Sequence, residues 1–302
     1  MDFPSSYMSP QTVLVTGADG FTGRYMVAYL LASGYRVVAM GLAETNADET
    51  INCDLTDRQS IRDFIIRLKP DYVIHLAALS YVGESDPIGF YRVNLFGTLN
   101  LIEALAILNP YPKKVLIASS ANVYGPIGGR EISESDCPSP INHYGNSKLS
   151  MENMVRTWFE RLPIIITRPF NYTGPGQDER FLIPKIVGHF RRREREIRLG
   201  NLDVSRDFSD VREVVACYKA LLESDVRSLI VNICSGEATP LREIIRIMNI
   251  IAGYEIVVKV DSNFVRDNEI PSLRGSNVLL KDLIGIAPKP SLENTLRAMF
   301  TF

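Results

Sequence analysis

Short apolar segments recur through the first 170 residues, and stretches with helical patterning lie between them. Each segment is an unbroken apolar run, which is typical of strands that are buried on both faces of a parallel sheet. The pattern therefore predicts an α/β fold with a doubly wound parallel sheet. We predict strands at 12–16, 35–40, 51–54, 72–76, 114–119 and 163–167, and helices at about 21–32, 57–68, 94–108 and 148–160.

The regular alternation ends near Arg168, where closely spaced prolines and glycines at 169–176 indicate a long loop. Residues 11–170 are therefore predicted to form the sheet domain. Residues 171–302 are predicted to form a smaller α/β C-terminal lobe, with some of its segments returning to the first domain. A chain of 302 residues is long enough for both units.

The overall charge excludes several classes of partner. The net charge is −2 and the pI is about 6.0, so neither nucleic acid nor a membrane surface is an expected partner. No apolar run approaches the ~18 residues that a membrane span needs, and the first ten residues lack an apolar signal core. We therefore expect a cytoplasmic protein. Its four cysteines and three histidines are scattered, which predicts neither a disulfide framework nor a metal site.

A glycine-rich loop joins the first predicted strand to the first predicted helix. Its glycines have the spacing GxxGxxG, which allows a tight turn and lets backbone N–H groups approach a pyrophosphate. The helix that follows adds partial positive charge at its amino end. The first domain is therefore predicted to be a Rossmann-type unit that binds a dinucleotide through Gly17, Gly20, Phe21, Thr22 and Gly23.

The end of the second strand usually selects between the two nicotinamide dinucleotides. An acid there favours NAD and an arginine favours NADP, but this chain has Met40-Gly41-Leu42. Because no acid is present, NADP(H) is slightly favoured and NAD(H) remains the other option. Asp54 and Leu55 follow the third strand and are predicted to contact the adenine; alternatively, they only begin the next helix.

Tyr144 and Lys148 are spaced so that they share one face of a helix. A lysine ammonium beside a phenol is expected to lower the tyrosine pKa from about 10, which would make Tyr144 a general acid/base. Ser119 and Ser120 end the fifth strand, at the carboxyl edge where parallel sheets place their active sites.

Together, TGxxGxxG, the Leu76-Ala77-Ala78 segment, the serine pair and YxxxK resemble the extended short-chain dehydrogenase/reductase family. The resemblance covers nearly the whole chain. It implies that Tyr144 is the acid/base, that Lys148 holds the nicotinamide ribose, and that Ser120 bonds the substrate oxygen. It also implies that Asn94 supports the active-site backbone and that residues 76–78 contact the cofactor; the structural alternative for Asn94 is a helix N-cap.

Three further segments, 168–177, 200–211 and 266–277, resemble the branch of this family that acts on GDP-mannose derivatives. The resemblance implies a GDP-sugar substrate. Arg206 and Arg266 suit its diphosphate, Glu269 could accept from a ribose hydroxyl, and Asn171 could donate to the diphosphate or sugar. The alternative for each residue is an ordinary surface ion pair or a polar contact in a loop.

Asn122 separates two activities within that branch. Dehydratases of the branch resemble Thr-Ser-Glu-Leu-Tyr-Gly at this point, whereas this chain has Ser-Ala-Asn-Val-Tyr-Gly at 120–125. An amide cannot abstract the C5 proton as that glutamate does, so a reductase is favoured, with Asn122 near the substrate. The expected reaction is NAD(P)H-dependent reduction of GDP-4-keto-6-deoxy-D-mannose to GDP-D-rhamnose.

Several alternatives stay open. The product could be the C4 epimer, GDP-6-deoxy-D-talose, or the chain could be another sugar-nucleotide epimerase or dehydratase of the same superfamily. A non-catalytic dinucleotide-binding sensor or scaffold is the alternative outside enzymes. Relatives pair the helices that correspond to 94–109 and 148–161 across a dimer interface, so a homodimer is expected; burial against the sheet alone is the other reading of their apolar faces.

Overall fold

The computed structural model describes residues 10–81, 86–127, 129–261, 270–289 and 292–302. Its largest sheet has seven strands, all parallel, in the order β11-β7-β5-β4-β1-β2-β3. The strands are β1 (Thr12–Thr16), β2 (Arg36–Gly41), β3 (Glu49–Asn52), β4 (Tyr72–His75), β5 (Lys114–Ala118), β7 (Ile164–Pro169) and β11 (Leu229–Ile233).

Helices cover both faces of this sheet, which confirms the doubly wound Rossmann-type fold. One face packs against α1 (Phe21–Ala32), α7 (Val211–Glu223) and α9 (Val278–Ile284). The other face packs against α2 (Arg58–Leu68), α4 (Thr98–Leu105) and α5 (His143–Arg156). Because both faces are covered, the central strands carry apolar side chains in both directions, and this is why their sequences do not alternate.

Two predicted helices begin earlier than their sequences indicate. The helix predicted from 148 begins at His143, because the Asn142 side chain accepts from the Gly145 amide and caps the first turn. The helix predicted over 94–108 corresponds to α4. Its first predicted residues belong instead to a π-helical segment, Tyr91–Gly97, which directly follows α3 (Pro87–Phe90). A π-turn inside a helix leaves no sequence periodicity of its own, and such turns occur frequently at functional sites.

The second half of the chain builds a five-stranded sheet and a two-stranded sheet. The first has the order β12-β10-β14-β6, with β8 also paired to β10, and the second pairs β9 with β13. The strands are β6 (Glu131–Ile132), β8 (Asn171–Thr173), β9 (Glu196–Leu199), β10 (Ser205–Asp210), β12 (Ala238–Pro240), β13 (Val257–Val260) and β14 (Ser272–Gly275). They pack with α6 (Leu182–Arg191), α8 (Leu241–Ala252) and α10 (Leu292–Thr301).

The two halves exchange strands. β11 from the second half forms the edge of the large sheet, and β6 from the first half joins the five-stranded sheet. The domain boundary near residue 170 stays a prediction. Among the described residues, no helix has the length and hydropathy to cross a membrane. The same part of the chain holds no group of three or more His, Cys, Asp or Glu side chains arranged to bind a metal.

Candidate active site

The glycine-rich loop packs tightly between the ends of β1 and β4 and the start of α1. Gly17 has φ +66°, and a Cβ there would lie 2.7 Å from the Ala77 amide nitrogen. A Cβ on Gly23 would lie 2.1 Å from the Gly17 carbonyl oxygen. Any larger residue at these two positions would push the loop away from the sheet edge. Ala77 is held here as well, because its amide donates to Thr16 Oγ1 at 3.2 Å.

The amino end of α1 is suited to an anion. Gly20 is its N-cap and supplies no side-chain acceptor, and no acidic residue occupies the first turn. The first amides of a helix have no intrahelical acceptor, so those of Phe21 and Thr22 can bind phosphate oxygens. These groups fit the pyrophosphate of a dinucleotide. Leu76, Ala77 and Ala78 follow β4 directly beside this loop.

Tyr172 borders the same loop, although its sequence context does not single it out. Its hydroxyl lies 2.8 Å from Thr22 Oγ1, and its ring stacks on Phe21 with centroids 6.3 Å apart. Tyr172 comes from β8, 150 residues after Thr22. The resemblance over residues 168–177 includes this position, but nothing in its local sequence distinguishes it from a core tyrosine.

Asp54 and Leu55, the predicted adenine contacts, lie between β3 and α2. The Asp54 carboxylate accepts from the Thr56 amide at 2.8 Å, so it stabilises the turn before α2. Leu55 is buried, and its carbonyl accepts from Asn100 Nδ2 at 2.9 Å. The contact of these residues with adenine stays a prediction. The alternative role of Asp54, at the start of the next helix, is consistent with its hydrogen bond to the Thr56 amide.

Ser120 and Tyr144 meet at the carboxyl edge of the sheet. Ser120 Oγ accepts from both the backbone amide and the side-chain Nδ2 of Asn122, at 3.2 and 3.1 Å. Tyr144 lies in the first turn of α5, near Ser120. Burial raises the pKa of Tyr144 to about 12, and the nearby Ser120 hydroxyl opposes this rise. The phenol is therefore protonated at neutral pH.

Lys148 lies one turn after Tyr144 on α5, and its Nζ atom donates to the Ala118 carbonyl at 2.8 Å. Burial lowers the pKa of Lys148 to about 8, and the charge of Glu152 opposes this shift. The predicted net fall of the Tyr144 pKa from about 10 is wrong for this structure, because its pKa rises to about 12. Burial of the phenol outweighs the influence of a lysine that is bonded to the backbone of β5.

Asn94 braces the loop after β4 against α5. Its side chain accepts from the Leu79 amide at 2.9 Å and donates to the Leu79 carbonyl and to Ser147 Oγ, both at 3.0 Å. Ser147 in turn donates to the Tyr144 carbonyl at 2.8 Å. Asn94 is inside the π-helical segment, so its reading as a helix N-cap is wrong. The π-turn instead directs its amide toward the helix that carries Tyr144.

A buried ion pair lies beside the serine pair, Ser119 and Ser120. Glu152 on α5 accepts from Arg168 of β7 through Nε at 3.0 Å and Nη2 at 2.5 Å. The same carboxylate accepts from Ser119 Oγ at 2.5 Å. The Arg168 guanidinium also lies 4.7 Å from the centroid of the Tyr124 ring. Both charged side chains are almost fully buried, at 1% and 4% exposure, and neither was among the predicted site residues.

The predicted substrate residues are less completely described. Asn171 lies on β8, and its Nδ2 atom is buried without a hydrogen-bond partner among the described residues. Arg206 lies on β10, which pairs with β8, and donates to the Ser205 carbonyl at 2.9 Å. Arg266 and Glu269 lie outside the described residues. The structure thus places Asn171 and Arg206 on neighbouring strands, and their contacts with a substrate stay predictions.

Comparison with known proteins identifies the family of this chain. The chain matches the family model described as GDP-mannose 4,6 dehydratase over residues 14–299. It is 36% identical to GDP-6-deoxy-D-talose 4-dehydrogenase from Aggregatibacter actinomycetemcomitans, over 90% of this chain and 91% of that protein. It is 34% identical to GDP-6-deoxy-D-mannose reductase from Pseudomonas aeruginosa, over 96% of each chain.

Solved structures agree with the fold. The structure of RMD from Pseudomonas aeruginosa complexed with NADPH has a TM-score of 0.85 at 34% identity and covers 97% of each chain. MoeE5 in complex with UDP-glucose and NAD has a TM-score of 0.88 at 28% identity, covering 96% of this chain and 97% of that one. The matches extend over both halves of the molecule. The chain therefore belongs to the GDP-mannose 4,6-dehydratase family, a branch of the extended short-chain dehydrogenases/reductases.

Proposed function

We propose that this protein reduces the 4-keto group of GDP-4-keto-6-deoxy-D-mannose, with GDP-D-rhamnose as the product. The observation that carries the proposal is a protonated phenol, Tyr144, beside a serine hydroxyl that an amide holds in place. A bound nicotinamide dinucleotide, NADP(H) or NAD(H), supplies the hydride. The family match and the NADPH and NAD complexes of structural neighbours support that cofactor.

Tyr144 acts as the general acid in this reaction. Burial raises its pKa to about 12, so the phenol stays protonated well above neutral pH and can donate its proton to the sugar O4. Ser120 accepts two hydrogen bonds from Asn122, so its own hydroxyl proton is available to the same oxygen. Lys148 is one helical turn away, and its ammonium stabilises the phenolate that remains after donation.

Asn122 favours reduction over dehydration. Elimination across C5 and C6 requires a base to remove the C5 proton, and the Asn122 amide is not basic. Its Nδ2 atom is used as a donor to Ser120 at 3.1 Å, which a glutamate carboxylate could not provide. The residue therefore suits a site that holds a ketone oxygen in place and does not remove a carbon-bound proton.

The substrate assignment rests on the relatives and on two side chains. The two relatives named above are described as acting on GDP-6-deoxy hexoses, and both names concern hydride chemistry. Asn171, with a buried and unbonded Nδ2 atom, suits a sugar or diphosphate oxygen, and Arg206 suits the diphosphate. We favour GDP-D-rhamnose, the product with the mannose configuration at C4. GDP-6-deoxy-D-talose is the other outcome of the test.

We also propose that the protein is a homodimer. The segment from α3 to Ile107, just after α4, carries apolar side chains at its surface, with Ile88 exposed by 73%, Phe96 by 56% and Ile107 by 46%. In a symmetric dimer, the same face of a second copy of the chain would pack against these side chains and cover them. Analytical ultracentrifugation tests this, since a monomer at micromolar concentration would contradict it.

A direct assay tests the proposed reaction. Purified protein is mixed with GDP-4-keto-6-deoxy-D-mannose and either NADPH or NADH, and the loss of reduced-cofactor absorbance is followed. NMR of the product then identifies the sugar. We expect cofactor oxidation with a rhamnose product. A talose product would retain the reductase and reverse the stereochemistry, whereas no oxidation with either cofactor would overturn the reductase assignment.

A further inference from the structure

An acidic side chain lies at the end of β2, although none is present there in the sequence. β2 ends at Gly41, and the Asp19 carboxylate of the glycine-rich loop packs directly against it. A Cβ on Gly41 would lie 2.4 Å from Asp19 Oδ1 and 2.8 Å from its Cγ. The second carboxylate oxygen, Oδ2, accepts from the Leu42 amide at 3.0 Å. Asp19 therefore fills the volume that a side chain at position 41 would occupy.

The end of the second strand has a defined role in dinucleotide-binding sheets. The residue at the end of the second strand reads the adenosine ribose, and an acid there accepts a hydrogen bond from the 2′-hydroxyl. Here the strand end has a glycine, and the acid comes from the loop between β1 and α1. Because Gly41 has no side chain, the Asp19 carboxylate can reach the place where the ribose hydroxyls would be read.

The segment that follows β2 supplies no cation to offset a second anion. Residues 41–50 contain no lysine or arginine and include three acids, Glu44, Asp48 and Glu49. Arg24 is close to Asp19, but its guanidinium donates to the backbone carbonyls of Asp19 and Gly176, at 3.1 and 3.2 Å. A 2′-phosphate would therefore bring negative charge against the Asp19 carboxylate.

We propose that Asp19 is the ribose-reading residue of this protein, accepting from the adenosine ribose hydroxyls of NAD(H) and disfavouring the 2′-phosphate of NADP(H). The proposal rests on the proposed function only in requiring a nicotinamide dinucleotide. Asp19 gives NADH a specific contact in a site whose strand end otherwise favours NADPH, so we expect the wild-type protein to bind both.

Binding measurements without any sugar nucleotide test this proposal. Dissociation constants for NADH and NADPH are measured by the change in nicotinamide fluorescence, for the wild type, Asp19→Asn and Asp19→Ala. The Asn variant keeps an oxygen acceptor for Leu42 N and removes only the charge. We expect the ratio of NADPH affinity to NADH affinity to rise about tenfold, which corresponds to about 1.4 kcal/mol, because the charged acceptor and its repulsion of a 2′-phosphate are both lost.

The matched control is Glu44→Gln, which removes one negative charge from an exposed position of the neighbouring loop. It should leave the affinity ratio within about twofold of wild type, because exposed charges are screened by solvent and salt. Adenosine 2′,5′-bisphosphate and ADP serve as probes that lack the nicotinamide. They should show the same change in ratio if the effect belongs to the ribose end.

A rescue variant distinguishes a specific contact from damage to the loop. In the double variant Asp19→Ala with Gly41→Asp, the acid is returned to the end of β2, and the two atoms that would lie nearest its Cβ, Asp19 Oδ1 and Cγ, are removed. It should restore the wild-type preference between NADH and NADPH. An unchanged ratio in Asp19→Asn, equal weakening of both dinucleotides, or no binding of either by the wild type would overturn the proposal. If the protein discriminates between NADH and NADPH as expected but does not reduce the keto sugar, only the proposed function would be wrong.

Discussion

Tyr144 and Lys148 are both buried polar groups, and burial moves each toward its uncharged form. The pKa of Tyr144 rises to about 12, while the pKa of Lys148 falls to about 8. At neutral pH the phenol is therefore protonated and the lysine is mostly charged. That combination suits proton donation to a carbonyl oxygen, with a cation nearby to stabilise the resulting phenolate.

Replacement of Tyr144 by phenylalanine should remove the general acid without disturbing the fold. We expect kcat to fall at least about 100-fold, because positioned acids of this type contribute about 10²–10⁴-fold. The dissociation constants for NADH and NADPH should change little, since the glycine loop remains intact. Tyr35→Phe, at the start of β2 and the opposite edge of the sheet, is the matched control. Near-normal turnover in Tyr144→Phe would remove Tyr144 from this role.

The pH dependence of reduction should report the ionisation of Lys148. As the pH rises through about 8, Lys148 loses its charge and stabilises the phenolate less, whereas Tyr144 keeps its proton. We expect kcat to be constant between pH 6 and 7 and to fall on the alkaline side with an apparent pKa near 8. In Lys148→Arg the fall should move to higher pH, because a guanidinium stays charged. A rate that increases with pH would contradict this assignment.

At the scale of secondary-structure elements, α5 determines the geometry of the site. It carries Tyr144, Lys148 and Glu152 at intervals of four residues, so all three lie on one face. Glu152 connects this face to two strands, β7 through Arg168 and the end of β5 through Ser119. The ion pair thus fixes where Ser120 lies relative to Tyr144, although it does not contact the reacting atoms in our proposal.

Breaking this ion pair on one side should be costly. Arg168→Met leaves the Glu152 carboxylate buried without its cation, which should lower the free energy of unfolding by about 3–5 kcal/mol. The double variant Glu152→Leu with Arg168→Met should lose at most about 2 kcal/mol, because an apolar pair leaves no buried charge. Urea denaturation measures both values. Arg297→Met, which removes an exposed pair with Glu293, should cost less than about 1 kcal/mol.

If the single and double variants lost the same free energy, the pair would not be coupled and this reading of Glu152 would be wrong.

At the scale of the whole molecule, buried polar side chains connect elements that are distant in sequence. His75 at the end of β4 lies 2.6 Å from Thr16 Oγ1 of β1 and 2.8 Å from Thr98 Oγ1 of α4. In the other half, the buried Asp207 carboxylate accepts from the Ser235 and Gly236 amides, both at 2.9 Å. Each cluster secures loops that surround the site.

His75 should make the folded protein sensitive to acid. Burial and then the charge of Lys148 lower its pKa from 6.5 to about 3, so it stays neutral in the folded state. An unfolded chain takes up a proton on this residue below pH 6.5. The free energy of unfolding therefore falls as the pH falls from 6.5 toward 3, by about 1.4 kcal/mol per pH unit from this group.

Urea denaturation at pH 7 and pH 5 tests this dependence. The wild type should lose about 2 kcal/mol more than His75→Gln over this interval, because glutamine does not titrate. Equal losses in the wild type and His75→Gln would show that His75 does not titrate as described.

Much of the fold and part of the site could be predicted from local sequence. Unbroken apolar runs indicated the parallel sheet, and the glycine spacing indicated the dinucleotide loop, because both patterns follow from backbone requirements within a few residues. The spacing of Tyr144 and Lys148 placed them on one helix for the same reason. Element boundaries were less accurate where side-chain caps decided them, as at Asn142, or where a π-turn interrupts a helix.

Local sequence patterns were enough to specify the sheet type, the loop that suits a pyrophosphate and the residue types at the catalytic edge. Three features depended on the folded chain: Asp19 fills the end of β2, Glu152 pairs with Arg168, and burial raises the pKa of Tyr144. The reason is physical. Periodicity and glycine requirements act between neighbours in the chain, whereas burial and charge pairing depend on which distant residues the folded chain brings within hydrogen-bond distance.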